Sequence, residues 1–268
     1  MRKANNRKMP ALFIGHGSPM NVISKNDFTD SLAALGKRLP EPRAIMVISA
    51  HWLTPGTYVA CNEKPRTIHD FYGFPEELYE IKYPCNGSPD DARFLTDSIR
   101  KVSIKCSNDW GLDHASWVIL KHMYPKANIP VFEMSLDYSF NEWHPKTLQY
   151  HYDLASELAI LREKGILIIG SGNIVHNLGL IDFRNIDSQP YDWAVEFDER
   201  VKLALINKDH EELIRYQKIN GSALAVPTLD HYLPMIYVLA LQGDDDPLKF
   251  TYEGFQNGSI SMRCFQIG

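Results

Sequence analysis

Three apolar runs in this chain lead to a histidine, and that repetition is its strongest chemical signal. Ala11 to Ile14 precede Gly15-His16-Gly17, Ala44 to Ala50 run straight into His51, and Ile166 to Ser171 are soon followed by His176. Two more histidines, His114 and His231, each follow an aspartate (Asp113, Asp230) at a loop-to-helix junction. The other five of the ten, His69, His122, His144, His151 and His210, lack either context. A lone strand-end histidine is usually a satisfied turn or core residue. A parallel sheet, however, gathers its strand ends along one edge, where ligands bind. Converging neutral imidazoles are what a divalent transition metal requires. A closed structural zinc site takes ligands close in sequence and usually cysteine, whereas these candidates run from His16 to His231 without one. Such a centre forms only after folding, which suits a catalytic site with open positions. Water activation at zinc and O2 chemistry at Fe(II) both remain open at this point.

The scaffold has to bring strand ends together, and the pattern is of that kind. Strand-like stretches at 11–14, 44–50, 57–61, 102–106, 129–135 and 166–171 alternate with helix-like ones at 28–39, 90–101, 114–123, 143–164, 191–206, 209–217 and from near Asp230 to Leu241. Stretches 250–252 and 259–265 read as a terminal antiparallel strand pair. The expected fold class is α/β: a single domain with a central, largely parallel (mixed) sheet flanked by helices, its site at the carboxyl ends of strands. Gly15 and Gly17 free the backbone and let other groups approach His16 closely. Gly165 stands where the 143–164 helix would be capped. Between His69 and Tyr83 lies a long aromatic connection containing Phe71, Tyr72 and Phe74. Loops of this length either cover a functional site or pack as closed Ω-loops.

With 268 residues, 44% hydrophobic and 23% charged, the chain suits one globular domain. A net charge of −5 argues against a general nucleic-acid partner. No apolar run approaches the roughly 20 residues of a membrane span. Residues 1–8 are expected to form a disordered extension, with Met9 as an alternative start and 9–268 as the folded domain. Only four apolar residues follow Met1 to Pro10, too few for a signal peptide. Cys61, Cys85, Cys106 and Cys264 are scattered, with neither a disulfide framework nor a zinc knuckle, so reduced thiols and a cytoplasmic setting are the default.

Five segments resemble the class III extradiol dioxygenases, specifically the 4,5-DOPA extradiol dioxygenase-like family. They are Pro10-Ala-Leu-Phe-Ile-Gly-His-Gly-Ser-Pro-Met20, Ser49-Ala-His-Trp52, Gly111-Leu-Asp-His-Ala-Ser-Trp117, Gly170-Ser-Gly-Asn-Ile-Val-His-Asn177 and Asp230-His-Tyr-Leu-Pro234. Asp70-Phe-Tyr-Gly-Phe-Pro-Glu-Glu-Leu-Tyr79 also matches. The resemblance covers nearly all of 9–268 in the right order. The Gly-His-Gly-Ser string alone would be weak, because tetrapyrrole metal chelatases share it.

The resemblance implies a non-haem divalent metal and O2 opening the ring of a catechol, an L-DOPA-like substrate cleaved at 4,5 to a seco-DOPA product. It implies His16, His51 and His231 as metal ligands, with zinc as the bound ion and Fe(II) as the oxygen-active one. The related protocatechuate-type enzymes use two histidines and a glutamate, and the third position here is a histidine. His176 would be a fourth ligand or the base that takes a catechol proton, and His114 a second acid/base group. Phe71, Tyr72 and Phe74 would pack on the substrate ring. Asp113 and Asp230 are expected as helix caps, since neighbouring side chains on a helix do not face each other. Where the family commonly has glycine, this chain has Ala115, which a first helical turn accepts. Partners are then a small aromatic catechol and O2, with no nucleic acid or membrane and with a homo-oligomer left open. The alternatives are a metal chelatase or other metal-dependent lyase, and a non-catalytic metal or small-molecule binder.

Overall fold

Strands that are apolar at every position must be covered on both faces, and the centre of this molecule is built that way. The computed structural model describes residues 8–138 and 145–268. The strands are β1 (Ala11–Gly15), β2 (Ala44–Thr54), β3 (Thr57–Ala60), β4 (Ile104–Ser107), β5 (Val131–Asp137), β6 (Ile166–Gly172) and β7 (Leu248–Tyr252), then β8 (Phe255–Gln256), β9 (Ile260–Ser261) and β10 (Cys264–Ile267). The helices are α1 (Asp27–Arg38), α2 (Glu76–Glu80), α3 (Pro89–Ser98), α4 (His114–Met123), α5 (Pro145–Glu157) and α6 (Ala159–Glu163), then α7 (Asp192–Ile206), α8 (His210–Ile214), α9 (Ser222–Ala225) and α10 (Leu233–Leu239).

Eight strands form one sheet in the order β4-β3-β5-β2-β6-β1-β10-β7, while β8 and β9 pair separately. The β3/β4, β5/β2, β2/β6 and β6/β1 pairings are parallel. The β3/β5, β1/β10 and β10/β7 pairings are antiparallel. The expected mixed α/β sheet is therefore present, with its antiparallel terminal pair at one edge. The reversal of β3 follows from its connection. Pro55 and Gly56 (φ 87°) allow a turn but no crossover.

Side chains along the strands sort by period two into two cores. Ala11, Phe13, Ala44, Met46, Ile48, Ile166 and Ile168 face one side, packed with residues of α5, α7 and α10. Leu12, Ile14, Ile45, Val47, Leu167 and Ile169 face the other, packed with residues of α1 and α4.

Several boundaries differ from the sequence reading. β2 does not stop at Ala50 but continues through His51 to Thr54, with its register against β5 shifting between Ile48 and Leu53. The expected 143–164 helix is two helices within the described residues. The Leu158 amide bonds three residues back, to Ala155, and so ends α5. Trp143, His144 and residues 1–7 of the expected extension lie outside the described residues. Lys8 is described, and its Nζ lies 2.9 Å from Asp246. The expectation of four reduced thiols also needs correction. Cys61 and Cys106 form a disulfide, because the β3/β4 register sets Val59 opposite Cys106 and brings the two Cα atoms to 5.6 Å. Cys85 and Cys264 are free and buried. Among the described residues no helix is long and apolar enough to cross a membrane.

Candidate active site

The neighbours β2, β6 and β1 run parallel, so their carboxyl ends lie along one edge. His16 follows β1 directly, and its amide extends the ladder to the Gly172 carbonyl at 3.1 Å. The groups that approach beside it belong to the chain itself. A Cβ on Gly17 (φ +62°) would lie 2.7 Å from the Met262 side chain, and one on Gly15 would lie 2.9 Å from the Ser261 and Met262 backbone. His51 sits inside β2 where the register slips, a device that re-aims a side chain, and its amide donates to Ser49 Oγ at 3.1 Å. His231 precedes α10, and its carbonyl accepts the Asn173 amide at 2.9 Å.

Three imidazoles, His16, His51 and His231, have ligand atoms that all lie within 4.8 Å of one another. Their outer nitrogens are engaged. His16 Nδ1 lies 3.1 Å from Ser171 Oγ, whose hydroxyl donates to the Ala115 carbonyl at 2.7 Å, so the ring N–H is the donor. His51 Nδ1 faces Asp70 Oδ2 at 3.1 Å, and His231 Nδ1 donates to Asp230. Each neutral ring therefore carries its proton on Nδ1 and presents a bare Nε2. The Nε2 atoms of His16 and His51 are 3.3 Å apart, and that of His231 is buried without a hydrogen-bond partner. Lone pairs facing one another across a buried space fit a bound cation, and Nδ1 held by oxygen is the usual support for a ligating histidine.

The electrostatics favour the neutral form at His16 and His231 and the protonated form at His51. Burial pushes His16 well below the usual histidine range, helped by repulsion from His51, His231, His114 and His176. Burial also lowers His231, outweighing its bond to Asp230. For His51 burial acts downward, but the Asp70 hydrogen bond and the nearby carboxylates raise it overall. Burial would raise Asp70, yet hydrogen bonds from His114 and His51 hold its carboxyl well below the usual range.

His114 opens α4 beside this group, its ring centroid 4.1 Å from that of His51. Its Nδ1 lies 2.9 Å from Asp70 Oδ2. Burial and the charge of His51 lower its pKa. His176 lies stacked on His231 and is not one of the three converging donors. Its pKa is pushed well below the usual range by burial and by His231.

The capping role expected for the two aspartates does not form. Asp113 occupies the N-cap position of α4 without a side-chain bond to the helix, whose first amide, that of His114, bonds to Asp70 instead. Asp230 holds its own neighbour, His231, because α10 begins only at Leu233 and helical spacing does not govern the pair. Ala115 lies buried in the first turn of α4 and is accepted there. Phe71 stands edge-on to His114 (5.7 Å) and to Phe74 (5.2 Å). Tyr72 is 93% exposed. Sequence reasoning assigned no role to Asp70 or Ser171. A carboxylate heading an aromatic loop, and a serine between two glycines at a strand end, were the available signals.

Fold and donors together define an α/β protein with three converging histidines that could hold a metal near the ends of parallel strands. Residues 10–262 match the family described as the catalytic LigB subunit of aromatic ring-opening dioxygenase, and the chain belongs to that family. It is 44% identical to the 4,5-DOPA dioxygenase extradiol of Escherichia coli (strain K12), over 97% of this chain and 95% of that one. It is 34% identical to the protein of the same name from Beta vulgaris, over 95% of each. The crystal structure of an uncharacterized protein from Escherichia coli K12 aligns with a TM-score of 0.83 at 40% identity, covering 97% of this chain and 100% of that one. The chain is thus an extradiol ring-cleaving dioxygenase, of a family that uses a non-haem metal with a catechol and O2.

Proposed function

We propose that the substrate is an L-DOPA-like catechol, opened at 4,5 to a seco-DOPA product, and that His16, His51 and His231 hold one divalent metal. The observation that carries the metal assignment is the set of three Nε2 atoms turned toward one another with every Nδ1 engaged, and the names of the relatives support the substrate. Zinc suits the donor set as a resident ion, and Fe(II) is the ion with the required oxygen chemistry. When bound, the metal supplies a Lewis-acidic point for the catechol oxygens and a site for O2.

The chain's own groups handle the protons. His176, neutral at pH 7 because of its burial, accepts one from a catechol hydroxyl. His114, held through Nδ1, uses Nε2 as the second acid/base atom. Phe71 offers an aromatic edge next to His114, with Phe74 behind it. All of these groups come from one chain, and a homo-oligomer stays open. A chelatase reading needs only the His16 strand end, and the convergence of His51 and His231 on it favours ring opening. We place the enzyme in the cytoplasm on its two free thiols, Cys85 and Cys264. The Cys61–Cys106 bridge weighs against that setting, and thiol trapping in intact cells decides it.

The test is to load the protein with Fe(II) and supply L-DOPA and O2. Oxygen uptake with a yellow ring-opened product is expected. Binding of a panel of catechols without oxygen consumption would overturn the reading.

A further inference from the structure

One carboxylate stands between the candidate metal ligands and the candidate acid/base group. Asp70 Oδ2 receives Nδ1 of His114 at 2.9 Å and Nδ1 of His51 at 3.1 Å, while Oδ1 accepts the His114 backbone amide at 2.9 Å. The three groups come from three places: the aromatic connection after β3, the start of α4, and β2. The position of Asp70 is fixed by backbone pairing just before it. The Ile68 amide bonds the Leu112 carbonyl at 2.7 Å, and the Leu112 amide bonds the Arg66 carbonyl at 2.8 Å. The Trp117 indole donates to the Ile68 carbonyl at 2.8 Å.

From this geometry we infer that Asp70 is a positioning residue that ties His51 and His114 into one unit. It fixes both rings in the Nδ1–H form, so that His51 presents Nε2 to the other two ligands and His114 keeps Nε2 for proton transfer. Through its second oxygen it also anchors the first turn of α4, a task Asp113 leaves undone. The ligand and the acid/base group cannot reorient independently while they share one acceptor. The inference rests on the roles proposed above for His51 and His114.

Asp70→Asn separates these functions. Asparagine keeps an oxygen for the His114 amide, so α4 stays anchored and the melting temperature stays close to that of the parent. Its amide group cannot accept from two ring N–H groups. Zinc affinity, read by chelator competition, is expected to fall about 10–100-fold, the usual cost of losing such support. In metal-saturated enzyme, kcat is expected to fall at least about tenfold with KM nearly unchanged, a split that general loosening would not produce. His114→Ala should lose turnover while keeping zinc affinity, and adding Asp70→Asn to it should lower affinity with little further loss of kcat. Parental affinity and kcat in Asp70→Asn overturn the inference.

A second measurement needs no variant. In zinc-loaded parent protein with 15N-labelled histidine, His51 and His114 should both carry the proton on Nδ1, and an Nε2–H on either sinks the proposal. If Fe(II) protein consumes no oxygen with any catechol, the functional reading fails, while the affinity and tautomer measurements still decide the role of Asp70.

Discussion

The imidazole of His176 lies flat on that of His231, with ring centroids 3.5 Å apart and planes 5° from parallel. A ligating imidazole aims its nitrogen lone pair within the ring plane. Two rings stacked this closely aim along parallel planes, so a cation held by His231 would not draw on the His176 lone pair as well. His176→Ala should therefore retain the metal and lose turnover, by about 10²–10⁴-fold as for removal of a general base. Metal content after dialysis and oxygen uptake check this together. Loss of the metal would identify His176 as a ligand.

Ser171 Oγ accepts from His16 Nδ1 and donates to the Ala115 carbonyl, linking β1, β6 and α4. Ser171→Ala leaves the His16 ring free to place its proton on either nitrogen. The expected result is metal affinity lower by about tenfold, with a stability loss of about 1 kcal/mol for the lost hydrogen bonds. Chelator competition and thermal melting measure the two effects separately.

Much of the frame was legible because strands buried on both faces read as unbroken apolar runs. Ala11 to Ile14, Ala44 to Ala50 and Ile166 to Ser171 are the central parallel strands. The gathering of His16 and His51 at one edge follows from that topology alone. A bulge leaves no mark in an apolar run, so β2 carries His51 inside it rather than beyond its end. The Asp70 bonds to His51 and His114, like the Cys61–Cys106 bridge, depend on three-dimensional register. Asp230 was misread by applying helical spacing to residues that precede the helix.

The Cys61–Cys106 bridge closes a separation of 45 residues at the root of the two segments that carry Asp70 and His114. Chain-entropy reasoning gives a loop of this size about 4 kcal/mol of stabilisation. Cys61→Ser with Cys106→Ser, or reduction of the parent, should lower the unfolding free energy by about 2–4 kcal/mol. Urea unfolding with and without reductant checks it, and the double variant should show no response to reductant.

Asp246 Oδ2 accepts from Lys8 at 2.9 Å, from the buried Arg162 at 2.6 Å and from the Gly243 amide at 3.0 Å. Burial acts to raise its pKa, but these partners bring it from 3.8 to about 2. A carboxyl lowered on folding adds stability that is complete above its unfolded pKa and disappears as pH falls through its folded one. The acid limb of the stability curve between about pH 4 and pH 2 should flatten in Asp246→Asn. At neutral pH the variant should lose about 2 kcal/mol, because Arg162 forfeits a charged acceptor. Urea midpoints at pH 7, 4 and 3 test the sign and the window.

Gly172 ends β6 opposite Gly15 of β1, with the His231 segment passing directly over it. A Cβ at Gly172 would overlap the His231 carbonyl oxygen and meet Pro234 Cγ at 3.1 Å. Gly172→Ala must therefore push the His231–Pro234 segment outward, breaking the 2.9 Å bond from the Asn173 amide and withdrawing the imidazole from its two partners. Overpacking of this kind costs about 1–3 kcal/mol. The loss of metal affinity should exceed what that destabilisation explains, because a donor moves with the backbone. Gly56→Ala is the control. Gly56, unlike Gly172, has a positive φ, 87°, and its Cβ direction is open, so alanine there strains only the β2–β3 turn. Chelator competition on both variants, held well below their melting temperatures, should show weakened metal binding in Gly172→Ala alone. Equal affinity in the two would mean that the close approach to β6 does not set the position of His231.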